Sequence, residues 1–206
     1  MIETTKAATA ILRDAGVEFM LGGSMAAWAR GGPAPDNDLD LMVKPDHAQA
    51  ALEALASAGM RVELPPEEWL YKAWHGDVLI DLIFRPSGLE LTDEVFDRGE
   101  SISVMAVRMP VMDLEDVLVT MLYALDEHTL DYSRLLLISR AVREQIDWPE
   151  LRVRASGSPY AKAFLTLVED LGVAPRAGDE PAPPRTARHD PANGHSRVRV
   201  IGAEAR

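Results

Sequence analysis

The chain has 206 residues (22.6 kDa), 47% hydrophobic and 26% charged, the make-up of one globular domain able to bury a substantial core. It has no cysteine, which excludes disulfides, thiol nucleophiles, zinc ribbons and iron–sulfur clusters and leaves any metal to Asp, Glu or His. The net charge is −12, and six Arg outnumber four Asp and Glu from Ala174 onward, so the preceding body is about −14; such a field disfavours nucleic acid without excluding it.

No run approaches the roughly 18 apolar residues of a membrane span, and the first residues lack a basic stretch followed by an apolar one. A cytoplasmic protein with no membrane partner is therefore expected. Ala7, Ala8, Ile11 and Leu12 have helical spacing up to Gly16, and residues 17–21 read as a short strand. After Gly22-Gly23-Ser24, Ser24 is the expected N-cap of a helix over 25–30, which the loop Gly31-Gly32-Pro33-Ala34-Pro35 ends. A strand over 38–43 follows. Ala48, Ala51, Leu52, Leu55 and Ala56 then share one face of a helix that closes at Gly59, and 60–64 reads as another strand.

Two apolar runs, 69–74 and 78–84, flank His75-Gly76-Asp77 and predict an antiparallel hairpin with a three-residue connection. Beyond them the pattern predicts a short helix over 93–97 and one strand over 102–107. After Pro110 it turns helical. Asp113 is the expected N-cap of a helix over 114–126, with Asp116 completing something close to a capping box. Further helices are expected over 131–145, 149–155 and 159–171, with Trp148 packed between them. From Ala174 the chain is rich in Pro, Gly, Ala and Arg, too poor in apolar residues to offset the entropy of ordering, and a disordered tail is expected. His189 and His195 fall in that tail.

The chemistry concentrates in three places. On a strand, Asp38 and Asp40 point to one face while Leu39 and Leu41 point to the other. Paired carboxylates on one face repel unless water or a cation screens them, and Mg²⁺ held by two carboxylates plus substrate phosphates is a standard arrangement for a hard ion. A solvated edge strand is the plainer alternative. An EF-hand loop begun at Asp36 fails, because Leu41 stands where the turn Gly is needed and His47 where the bidentate acid is needed. Asp81, alone in the apolar run Val78-Leu79-Ile80-Asp81-Leu82-Ile83-Phe84, should coordinate a metal or pair with a cation such as Lys72 on the facing strand. Gly22-Gly23-Ser24, at a strand-to-helix turn, offers backbone N–H groups to a phosphate.

Taken together, Leu21-Gly22-Gly23-Ser24, then after thirteen residues Asp38-Leu39-Asp40-Leu41, then Asp81, resembles the signature of the DNA polymerase β-like nucleotidyltransferase superfamily. The resemblance covers about residues 17–84. Within the superfamily the chain looks most like the minimal, stand-alone bacterial members, which include antibiotic adenylyltransferases and toxin–antitoxin enzymes. The resemblance implies an α+β fold in which a mixed nucleotidyltransferase-like sheet with flanking helices (1–110) is followed by a C-terminal helical layer (111–173) and the tail (174–206). It implies that Gly22, Gly23 and Ser24 bind the phosphates of a nucleoside triphosphate such as ATP, and that Asp38 and Asp40 hold two Mg²⁺ ions. Asp81 would complete the metal site and assist deprotonation of the acceptor.

The implied reaction moves NMP from an NTP to a hydroxyl of a small molecule or a protein, and the acidic body favours a cationic acceptor such as an aminoglycoside. There are departures. Many members carry an Arg and a Ser or Thr shortly before the Asp pair, where this chain has only the loop 31–37; Arg30 could substitute from the helix end, and Lys72 and Arg85 are further candidates for phosphate contact. A second reading follows: a catalytically inactive module of the same fold that binds a protein partner, as an antitoxin does.

Overall fold

The architecture is that of a computed structural model which describes residues 1–35 and 38–178. Helix α1 (Ile2–Asp14) buries Thr5, Ala8, Thr9 and Leu12 along one face and stops at Gly16, whose φ of +68° suits the left-handed turn. There follow β1 (Phe19–Leu21), α2 (Gly23–Ala29), β2 (Asp38–Val43), a single 3-10 turn (Pro45–His47), α3 (Ala48–Ser57), β3 (Arg61–Glu63), β4 (Leu70–His75) and β5 (Val78–Ile83). The chain continues through α4 (Asp93–Arg98), β6 (Glu100–Val104), β7 (Val107–Val111), α5 (Leu114–Tyr123), α6 (Ser133–Val142), α7 (Trp148–Arg154) and α8 (Pro159–Asp170).

All seven strands join one mixed sheet in the order β3-β4-β5-β2-β1-β7-β6. β2 runs antiparallel to β1 and parallel to β5, and β1 is parallel to β7. One face is apolar: Leu39, Leu41, Ala73, Ile80 and Leu82 are buried, and α3 packs across β3, β4 and β5 with α1 beside it. Burying such leucines and isoleucines at roughly 1.5–3 kcal/mol each is what fixes that face inward. The alternate residues, including Asp38, Asp40 and Asp81, therefore face the other way. α2 lies on that second face over β2 and packs against α5, which in turn touches α6, α7 and α8 and so forms the centre of the helical layer. The expected α+β class and the hairpin of β4 with β5 are as found.

Several local expectations are corrected. Ser24 is not an N-cap: α2 begins two residues earlier than expected, with Gly22 as cap, and Ser24 sits inside its first turn, largely buried. The β4–β5 connection is two residues long, because His75 already pairs with Val78. The single strand expected over 102–107 is a hairpin, β6 with β7, that turns at Met105 and Ala106. Asp113 does cap α5, accepting from the N–H groups of Glu115 and Asp116. The Asp116 carboxylate, however, does not complete a capping box; fully buried, it binds Arg98 of α4 and Arg154 of α7.

Trp148 is buried and donates from its indole N–H to the Arg143 carbonyl, as its place between helices requires. Packing continues past residue 173, since Ala174 is buried and Arg152 donates to the Pro175 carbonyl. Asp36, Asn37 and residues 179–206, and with them the rest of the predicted tail, lie outside the described residues. Among the described residues no helix is long and apolar enough to cross a membrane.

Candidate active site

Three neighbouring strands build the site. The parallel register of β2 and β5 sets Asp40 opposite Asp81 and Asp38 opposite Leu79, so the sheet brings together the three acids separated in sequence. Each of Asp38, Asp40 and Asp81 offers a carboxylate oxygen, and these oxygens lie within 4.8 Å of one another on half-buried side chains. It is the one group of acids and histidines among the described residues arranged closely enough to hold a metal. Hard oxygen donors at this spacing, without sulfur or imidazole, fit a divalent cation of the Mg²⁺ type.

Asp81 is 15% exposed, and burial pushes its carboxyl above the ordinary range. Opposing that, the Lys72 ammonium on β4, directly across the sheet, donates to Asp81 Oδ1 at 3.1 Å; Asp38 adds a smaller upward push. Of the two alternatives that the sequence left open for Asp81, the pairing with Lys72 is present, and the carboxylate also stands where a metal ligand would be needed. It belongs to the acidic cluster, and it is paired with Lys72.

Gly22 and Gly23 close the site from the β1 side. The Gly22 N–H donates to the Asp40 carbonyl at 2.9 Å, which continues the β1–β2 pairing into the turn. Gly23 has φ +51°, and a Cβ there would overlap Asp40 Oδ2 and lie 2.7 Å from Asp40 Cγ. The absent side chain is therefore the space in which the Asp40 carboxylate sits. Ser24 follows as the second residue of α2.

The other basic candidates divide. Arg30 does not substitute at the site: its guanidinium is buried, donates to the Met112 and Val111 carbonyls and lies 3.5 Å from Glu100, so it ties α2 to the end of β7. Arg85 donates to the Glu68 carbonyl and lies over the Phe84 ring. Of these three candidates, Lys72 is the one that touches the cluster.

One further pair escaped the sequence reading. Carrying the register across β5, β4 and β3 produces two rows on the acidic face: Asp38, Leu79, Trp74, Arg61, and beside it Asp40, Asp81, Lys72, Glu63. Arg61 stacks on the Trp74 indole, 3.7 Å from the ring centroid. The period-two alternation from Asp81 through Lys72 to Trp74 was the signal that could have placed the indole on this face; nothing in the sequence identified its strand partner.

The model of an uncharacterised nucleotidyltransferase family matches residues 35–169, more than half of the chain and inclusive of all three acids. The chain belongs to that family. The fold of this nucleotidyltransferase is similar to that of ANT(2'')-Ia, both in its crystal structure in complex with adenylyl-2''-tobramycin (TM-score 0.59, 14% identity, 79% of this chain and 98% of that one) and in its solution structure (TM-score 0.59, 13% identity, 83% and 96%). The lincomycin-bound lincosamide antibiotic adenylyltransferase LnuA shows a lesser likeness, with TM-score 0.46, 14% identity and coverage of 63% and 89%. At these identities the likeness is one of fold. No curated protein matches the sequence.

Proposed function

We propose that this nucleotidyltransferase moves NMP from an NTP, with ATP as the first candidate, to a hydroxyl of a small molecule or a protein, and that it does so with Mg²⁺, two ions being the expected number. The observation that carries the reading is the convergence of Asp38, Asp40 and Asp81 within 4.8 Å on one sheet face, beside a turn whose Gly23 has no room for a side chain. In this reading residues 1–110 supply the nucleotide site and 111–173 form a helical subdomain.

Asp38 and Asp40 would hold the metal, with Asp81 completing the ligand set. Bound there, divalent ions would neutralise charge on the triphosphate and the leaving pyrophosphate and would sharpen the attacking oxygen. The backbone N–H groups of the turn at Gly22, Gly23 and Ser24 orient the phosphates. The acceptor oxygen attacks the α-phosphorus in line, the bond to the β-phosphate oxygen breaks, and pyrophosphate leaves on the opposite side. Asp81 takes the acceptor proton, and the Lys72 ammonium that donates to it fixes its orientation.

The test is calorimetric titration with a non-hydrolysable ATP analogue, then with the other three nucleotides, with and without Mg²⁺. Metal-dependent binding that is lost in Asp38→Ala and Asp81→Ala supports the reading. Absence of binding under every condition overturns it and leaves the inactive, partner-binding module.

A further inference from the structure

The acidic face does not end at the cluster. Beside Asp81 on β5 lies Leu79, and away from the glycine turn the face continues over β4 and β3 as Trp74 and Arg61; Leu79 and Trp74 are half-buried and Arg61 is exposed. Trp74 is the diagonal neighbour of Asp81 across an antiparallel pair, a separation of about 7–8 Å. Arg61 is one strand further, roughly 10 Å from β5 in all. The guanidinium lies on the indole, and among the described residues no carboxylate forms an ion pair with it. Glu63, its neighbour on the same face, stands opposite Lys72 instead.

This direction matters because in-line transfer puts the leaving group and the attacking oxygen on opposite sides of the phosphorus. With the phosphates at the Gly22–Gly23 turn on the β1 side, the acceptor approaches from the β5 side. It then lies on Trp74 and Arg61. We infer that the Trp74–Arg61 stack is the acceptor subsite, and that it selects a hydroxyl compound with a flat ring and an anionic group, carboxylate or phosphate, about one ring length from the hydroxyl. The inference rests on the proposed nucleotide site, and it departs from the cationic acceptor that net charge alone favours. A field summed over the whole body is screened within about 8–10 Å at ordinary salt, so a group seated on the shelf responds to Arg61 more than to distant surface acids. An indole with a stacked guanidinium offers a flat apolar surface and a fork of N–H donors, the combination that binds planar anions.

One skeleton with three charges tests this: 4-hydroxyphenylacetate, 4-hydroxyphenylethanol and tyramine, with 4-hydroxyphenyl phosphate to separate phosphate from carboxylate. Each is titrated into the full chain, loaded with Mg²⁺ and the ATP analogue, while the Trp74 indole N–H resonance is followed; Trp74→Phe assigns that signal. The anionic compounds should shift it and bind at least tenfold tighter than tyramine, and Arg61→Gln should erase the preference. Equal or tighter binding of tyramine, a preference that survives Arg61→Gln, or a Trp74 signal that no compound moves would overturn the inference. A stack that merely steadies β3 would give the last of these results, with Arg61→Gln lowering stability alone. Failure of the ATP analogue to bind sinks the nucleotide site itself, whereas a silent shelf on a protein that binds the analogue sinks only the acceptor subsite.

Discussion

Gly23 and Asp40 compete for one volume: the space a Cβ on Gly23 would need is filled by the Asp40 carboxylate. Gly23→Ala should therefore strike twice. A non-glycine residue at φ +51° costs about 1–2 kcal/mol, and the methyl must drive Asp40 out of the cluster. Gly22→Ala is the control, since Gly22 has a negative φ and the atoms nearest its Cβ belong to the Met42 side chain and not to the acidic cluster. Nucleotidyl transfer should fall by orders of magnitude in Gly23→Ala and much less in Gly22→Ala, as read by pyrophosphate release. Equal losses in the two variants would refute the steric account.

Asp38→Ala should abolish transfer while leaving the midpoint of thermal unfolding unchanged or raised. The substitution removes a carboxylate that repels its neighbours when no cation is bound, and Asp38 is one of the groups that push the Asp81 carboxyl upward. A variant that unfolds at lower temperature than the parent would give Asp38 a structural role that the site does not assign to it.

Asp116 ties three helices, and its loss should be felt as stability rather than chemistry. It is fully buried on α5 between Arg98 and Arg154. Asp116→Ala leaves two guanidinium groups without their shared partner, and because both are partly exposed and Arg154 keeps Glu150, the change costs about 1.5–3 kcal/mol. Urea unfolding should show the loss, and Mg²⁺-dependent binding of the ATP analogue well below the melting temperature should stay near the parent value.

Glu115 introduces a pH dependence of known sign. Burial pushes its carboxyl from 4.5 up to about 7, against the N–H of Asp147, which donates to its Oε1 at 2.7 Å. The folded state thus holds the proton more tightly than the unfolded state, so stability from this group is greatest below about pH 4.5 and declines as pH rises through about 7. Glu115→Gln keeps an acceptor for Asp147 and removes the titration. Compared with the parent, it should be more stable at pH 8 and lose that advantage toward pH 4.5 in chemical denaturation across this range.

Much of the site was legible because a strand's alternation is absolute. Asp38 and Asp40 had to share a face, and an acid inside the run from Val78 to Phe84 needed a partner. The β6–β7 hairpin was not legible. Two-residue turns of this kind favour Asn-Gly or Asp-Gly, and here Met105 and Ala106 hold φ of +50° and +64° with no such marker; Pro110 within β7 further disguises a strand that lies between β1 and β6. Asp116 looked like a capping residue because its partners, Arg98 and Arg154, lie 18 and 38 positions away in sequence. Ser24 looked like a cap because its side chain suits one, yet the backbone places Gly22 there, as the close approach of the turn to Met42 and Asp40 demands.

The register between β2 and β5 has a further consequence. Leu39 meets Ile80, Asp40 meets Asp81 and Leu41 meets Leu82. A slip of β2 by one residue would turn both its acids into the apolar layer and its leucines out to water. The oil of the interior thus serves as a ruler for the reactive carboxylates. A one-residue misalignment would bury the acids and expose the leucines, so the packing that stabilises the fold also sets the acids in place.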